Sequence, residues 1–129
     1  MRVKQIFVGV KSLKQGLSDF TQAVKSLRRG TFARRRKPEV YFVDVEAMRQ
    51  VLTPRRVELL QVIREKHPES VYDLARLTKR DLKNVQQDVT LLSRLGLVGL
   101  TKPRSARRRL VPHVDYDNLQ VRIPVFLTA

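Results

Sequence analysis

Read for its hydrophobic and polar positions, the chain alternates short β-type runs with amphipathic helical ones. Residues 3–10 (Val-Lys-Gln-Ile-Phe-Val-Gly-Val) predict a short strand and turn. Ser12 is placed to cap a helix that runs to about Arg29, with Gly30 to end it. On that helix Leu13, Leu17, Phe20, Val24 and Leu27 recur at spacings of 4, 3, 4 and 3. This is a heptad-type seam two heptads long, too short for a free-standing coiled coil. The expectation is a stripe packed on the domain's own sheet, with a dimer seam as the alternative. Gly16 lies mid-helix with no evident local reason. Residues 39–45 predict a second strand, and Asp44 opens a short helix, Val45 to Leu52.

The second half is more sharply punctuated. Thr53 is a good N-cap and Pro54 suits the first helical position, because its missing N–H is not needed there. The helix they open carries Val57, Leu59, Leu60 and Ile63 and should stop at His67, before Pro68. Ser70-Val71 predicts a very short strand, and Tyr72 to Leu77 a helix that buries Leu74, Ala75 and Leu77. Thr78-Lys79-Arg80-Asp81 fits a capping box, opening a helix to about Leu95 that Gly96 closes. Two strands follow, Leu97 to Thr101 and Leu110 to Val114, then a terminal strand over 119–126 in which Pro124 favours an edge.

Helix, helix, tight turn, long helix, strand, basic tip and strand is the layout of a winged helix. The expected fold is therefore α+β: a winged helix-turn-helix domain over 53–129, preceded by a strand-helix-strand extension over 1–52 that could serve dimerisation. At roughly 100° per residue, Leu82, Val85, Val89 and Leu92 fall on one side of the long helix and Arg80, Lys83, Asn84 and Gln87 on the other. Those outward types pair with base edges in a major groove, Arg or Lys with guanine and Asn or Gln with adenine. Leu91 also falls near that side and suggests that the helix leans on another element or subunit there.

Charge strengthens this picture. Among 129 residues, 27 Lys plus Arg stand against 12 Asp plus Glu, a formal net charge of +15. A compact chain with that imbalance repels itself unless an anion takes up the charge, and nucleic acid is the commonest such partner. Lys102, Arg104, Arg107, Arg108 and Arg109 crowd the tip between the two wing strands, suited with Lys79 to phosphates or a minor groove. A second basic cluster, Arg28, Arg29 and Arg34 to Lys37, reads as a mobile loop able to touch phosphates.

Other chemistry finds little support. There is no cysteine, the two histidines (His67, His113) lie far apart, and no glycine-rich phosphate loop is present. The expectation is a protein that is not an enzyme and holds no metal or cofactor. Asp115 and Asp117 around Tyr116 read as a turn. No apolar run of about 18 residues exists to span a membrane, and the first ten residues are too mixed for a signal peptide, so the expected compartment is the cytoplasm.

Several stretches resemble the MarR-like winged-helix DNA-binding proteins of archaea and bacteria: Leu52 to Leu60, Leu74 to Leu77, Arg80 to Val89, Leu92 to Val98, and Tyr116 to Pro124. The run Arg80 to Val98 is the most specific. The resemblance implies a dimeric transcriptional regulator of double-stranded DNA, some of whose relatives look like antitoxin components. A toxin partner is therefore one alternative, and the winged-helix layout with the +15 charge also suits an RNA- or ribosome-associated role. Family members often carry Gly before the Arg-Asp pair, where this chain has Thr78-Lys79.

Overall fold

The computed structural model describes residues 5–28, 39–103 and 109–125. The chain forms two compact units, one of Leu52–Asp117 and one of Gln5–Val51 with the segment from Asn118 onward.

The second of these units is built on three strands. Strand β1 (Gln5–Val10) is followed by helix α1 (Leu13–Arg28), strand β2 (Glu39–Phe42) and helix α2 (Val45–Val51). Ser12 Oγ accepts from the Gln15 N–H, and Asp44 Oδ1 from the Ala47 N–H at 2.7 Å, so both helices open at the predicted caps. Strands β1 and β2 pair in parallel, with Val8 opposite Val40 and Gly9 opposite Tyr41. Parallel pairing needs a crossover, and α1 supplies it.

The terminal strand, β5 (Asn118–Arg122), which follows two strands of the other unit in chain order, is also parallel to β1, with Val8 opposite Val121. The sheet order is thus β2-β1-β5. The expected division at residue 53 put this strand in the C-terminal domain. Its alternating residues instead complete the N-terminal sheet at an edge, with Pro124 just past its last residue. Ile6, Val8, Val40, Phe42 and Met48 are buried.

Residues 52–117 hold helices α3 (Pro54–Lys66), α4 (Val71–Thr78) and α5 (Leu82–Arg94), then strands β3 (Gly99–Thr101) and β4 (Val111–His113). Thr53 Oγ1 accepts from the Arg56 N–H, and α3 ends at His67 in a left-handed conformation, φ 48°. Helix α4 packs on both α3 and α5, and β3 and β4 pair antiparallel, Leu100 opposite Pro112. Leu59, Ile63, Leu74, Val85, Val89, Leu92 and Leu97 fill the interior. The buried Tyr116 donates its hydroxyl to Leu97 O at 2.7 Å, and burial pushes its ionisation well above the usual tyrosine range. Leu77, expected inside, is exposed.

The Ser70-Val71 stretch is a helix start rather than a strand. Ser70 Oγ accepts from the Asp73 N–H at 3.0 Å and Asp73 reaches back to the Glu69 N–H at 3.1 Å, a reciprocal cap. A single backbone bond from Val71 N–H to Leu110 O ties this start to the chain entering β4. No helix among the described residues is long and apolar enough to cross a membrane.

Candidate nucleic-acid interface

The geometry of α5 depends on how α4 stops. Thr78 does not cap α5. Its hydroxyl donates to Leu74 O and Ala75 O and closes α4 from within. Lys79 then turns left-handed at φ 54°, with bonds from Lys79 N–H to Arg76 O and from Arg80 N–H to Ala75 O. This pair of bonds is a Schellman closure, whose left-handed residue is usually glycine. The N-cap of α5 is Asp81, whose carboxylate accepts from the Asn84 N–H at 3.3 Å. A helix phased from Lys79 therefore gives way to one that begins at Leu82.

That shift takes Arg80 off the outward face. Its guanidinium meets Asp88 Oδ2 at 2.8 Å, while Arg56 Nε from α3 meets Asp88 Oδ1 at 3.0 Å. The side chains of Arg80, Asp88 and Arg56 are only 15%, 13% and 23% exposed. Arg80 Nη1 is buried without a hydrogen-bond partner. The expected placement of Arg80 on the outward side of the helix is corrected accordingly: it joins the α4–α5 turn to α5 and, through Asp88, to α3.

Lys79, Lys83, Asn84 and Gln87 are exposed. Lys83 and Gln87 line a shallow groove of about 350 Å³ along α5, together with Gln86, Thr90, Leu91 and Arg94. The expected outward face, Arg80 to Gln87, passed over Gln86 and ended before Thr90 and Arg94. Continuing its helical wheel for two more turns places Thr90 and Arg94 beside Lys83. Leu91, flagged as an apolar residue near the outward side, is half-buried at the groove's edge. Between Leu82 and Arg94 the one carboxylate is Asp88, turned inward to the two arginines. The open surface of α5 thus presents ammonium, guanidinium, carboxamide and hydroxyl groups and no acid.

The β3–β4 connection is described in part. Arg104, Arg107 and Arg108 lie outside the described residues, as does the basic cluster at 34–37. Lys102 and Arg109 are exposed at the two ends of the β3–β4 connection. Arg109 stands near the start of α4. The Asp73 carboxyl there is held below the usual carboxylate range, chiefly by its hydrogen bond from Arg76, then by the Glu69 N–H, with Arg109 adding a weaker field. Across the β3–β4 pair, Thr101 Oγ1 and His113 Nε2 are hydrogen-bonded at 2.5 Å. Among the described residues no group of three or more His, Asp or Glu side chains is placed to hold a metal ion.

Comparison with known proteins adds a family. No curated protein matches the chain. One family model, HVO_A0114, matches residues 51–121, from the last residue of α2 through most of β5. With more than half of its length inside that match, the chain belongs to the HVO_A0114 family.

Proposed function

We propose that the chain is a cytoplasmic regulator of transcription that binds double-stranded DNA in a sequence-dependent way, with residues 52–117 acting as a winged helix-turn-helix. In this reading α4 and α5 are the helix pair, α5 lies in the major groove, and the basic β3–β4 connection follows the flanking backbone or minor groove. One observation carries it: the surface of α5 offers Lys83, Asn84, Gln86, Gln87, Thr90 and Arg94 to solvent while its lone acid is sequestered. A solvated surface helix ordinarily mixes Glu with Lys. A face of donors and carboxamides alone suits guanine and adenine edges and is free of repulsion toward phosphate. The +15 charge supplies the sequence-independent part of the attraction.

The test starts from a duplex selected from random sequence by the full chain. Asn84→Ala and Gln87→Ala should each weaken binding to that duplex by about 1–3 kcal/mol and leave random duplex nearly unaffected. Equal losses on both would remove α5 from base reading. Replacing Arg107, Arg108 and Arg109 together should weaken binding to every sequence and flatten the salt dependence, by close to one logarithmic unit per lost phosphate contact. Structured RNA that outcompetes the selected duplex would overturn the DNA reading altogether.

A further inference from the structure

The sheet of the N-terminal unit has one buried face and one open face. Ile6, Val8, Val40 and Phe42 point to the buried side. The alternate positions of the same strands carry Phe7 and Gly9 on β1, with Lys11 just past it, Glu39 and Tyr41 on β2, and Arg122 on β5. Glu39, Tyr41 and Arg122 are exposed, and Phe7 and Lys11 are half-buried. A groove of about 510 Å³ runs over these residues and lies wholly within this unit.

The groove lies where the strand order reverses. From β1 the chain passes through α1 to β2 on one side, and β5 is laid on the other side. The strands are parallel, so their carboxyl ends share one end of the sheet. In open parallel sheets the crevice at such a reversal, outside the carboxyl ends, is where ligands bind. Val10, Lys11, Arg122 and Ile123 line the groove at those ends.

The side chains there are held in place. The Tyr41 ring lies against Gly9, where a Cβ would come within 2.7 Å of Tyr41 Cε1, so the central strand needs glycine at this point. The Lys11 ammonium sits 3.7 Å from the centre of the same ring, and its charge is met by Asp19. The Tyr41 hydroxyl donates to Glu39 Oε2 at 2.7 Å. The ring is thus fixed at its edge, its face and its hydroxyl, while Tyr41 stays 43% exposed. Across the groove the Arg122 guanidinium lies 4.5 Å from the centre of the Phe7 ring and has no carboxylate partner among the described residues.

We infer that this groove binds a free nucleoside phosphate. Its polarity runs from the Glu39 carboxylate on the β2 side, across two aromatic rings, to an unpaired guanidinium on the β5 side. A nucleotide matches that sequence of groups. Its amino or ribose hydroxyl groups donate to the carboxylate, its base stacks on the rings, and its phosphate meets Arg122. An inorganic anion would leave the rings unused, and an apolar ligand would leave Arg122 unused. The volume falls within the roughly 300–1,000 Å³ of small-ligand sites. From Phe7 to Lys11 the strand rises by about 13 Å, room for one base with its sugar and phosphate. The inference does not rest on what α5 binds, and the two sites share no residue.

Calorimetric titration of the full chain with adenosine 5′-monophosphate tests it. The wild type should bind one equivalent with a dissociation constant of about 10–100 µM. Arg122→Gln should weaken this by about tenfold or more and leave the affinity for adenosine unchanged, because only the partner of the phosphate is removed. Tyr41→Ala should weaken nucleotide and nucleoside alike, by about tenfold, whereas Tyr41→Phe keeps the ring and should bind like the wild type. Both side chains are exposed, so the circular dichroism should stay that of the wild type. Lys83→Gln with Arg94→Gln on α5 controls for general attraction to a chain of charge +15 and should leave the affinity unchanged. A wild type that binds no nucleotide overturns the inference. So does an equal loss from the α5 variant, or inorganic phosphate that binds as tightly. A single strand of about ten deoxyadenosines that binds more than about tenfold tighter, and is weakened by the same Arg122 and Tyr41 variants, overturns the free nucleotide in favour of an unpaired strand.

Discussion

Residues 52–117 turn nearly all their large apolar side chains inward and show a polar, basic face, whereas residues 5–51 with 118–125 leave many of theirs in water. Of the exposed large hydrophobic residues, Tyr72, Leu77 and Leu110 belong to the first unit. Among the described residues the second contributes nine, including Leu13, Leu17, Phe20, Tyr41, Val121 and Ile123. Scattered exposed apolar residues are ordinary, but several in register along one helix are not. The difference separates two kinds of amphipathic helix. Helix α5 hides its apolar face and offers polar chemistry outward, as a reader of a polar ligand must. Helix α1 leaves its apolar stripe and most of its polar residues alike in water.

The contrast is most directly broken by removing one leucine from each unit. Leu74 is fully buried between α3 and α5, so Leu74→Ala should cost about 3–4 kcal/mol, the lost transfer energy plus the cavity left behind. Leu17→Ala should change the unfolding free energy by less than about 0.5 kcal/mol at concentrations where the chain is monomeric. Urea unfolding at low protein concentration measures both. A large loss from Leu17→Ala would mean that α1 is packed in the monomer after all, and the comparison would fail.

The next effect in size concerns the ion-pair cluster that holds α5. Asp88→Ala leaves Arg56 and Arg80 facing each other with their shared carboxylate gone. Breaking a fully buried pair costs several kcal/mol, and the residual exposure of these side chains reduces the expected loss to about 2–3 kcal/mol. Replacing Arg56, Arg80 and Asp88 together with Met and Leu should recover much of it, because no cation of the cluster then remains without its carboxylate. If Asp88→Ala proves neutral, the cluster is only a surface pairing, and Arg80 would be free to contact DNA as first expected from the sequence.

What could be read from the sequence follows the range of the forces involved. Ser12, Asp44, Thr53 with Pro54, and Gly96 act within a turn or so of themselves, and each marks a helix end where the structure has one. Leu82, Val85, Val89 and Leu92 announced the inner side of α5 because helical periodicity is also local. Arg80 could not be placed in this way. Its partner lies eight residues on, and the other cation on that carboxylate is 24 residues before it. The heptad stripe of α1 was legible as a stripe, but neither its exposure nor the pairing of Lys11 with Asp19 is something periodicity reveals. The membership of β5 in the N-terminal sheet was hidden for the same reason, because strand partners are chosen by tertiary contacts.

The smallest effect separates folding from binding at a single residue. Both α4 and α5 end in the same backbone closure, with its left-handed position filled by Gly96 in one case and Lys79 in the other. Gly96, at φ 80°, meets no steric objection, whereas Lys79, at φ 54°, pays for its Cβ by about 1 kcal/mol or somewhat more. Lys79→Gly should therefore stabilise the chain, by about 0.5–1 kcal/mol once the greater freedom of glycine in the unfolded chain is deducted. The same change removes an exposed cation at the entry to α5. If Lys79 holds a phosphate, DNA binding should weaken on all sequences, with the salt slope smaller by about 0.9. Higher stability with weaker binding would show a residue kept at this position for its charge against its backbone preference. Higher stability with unchanged binding would leave Lys79 out of the interface and move its edge toward Lys83.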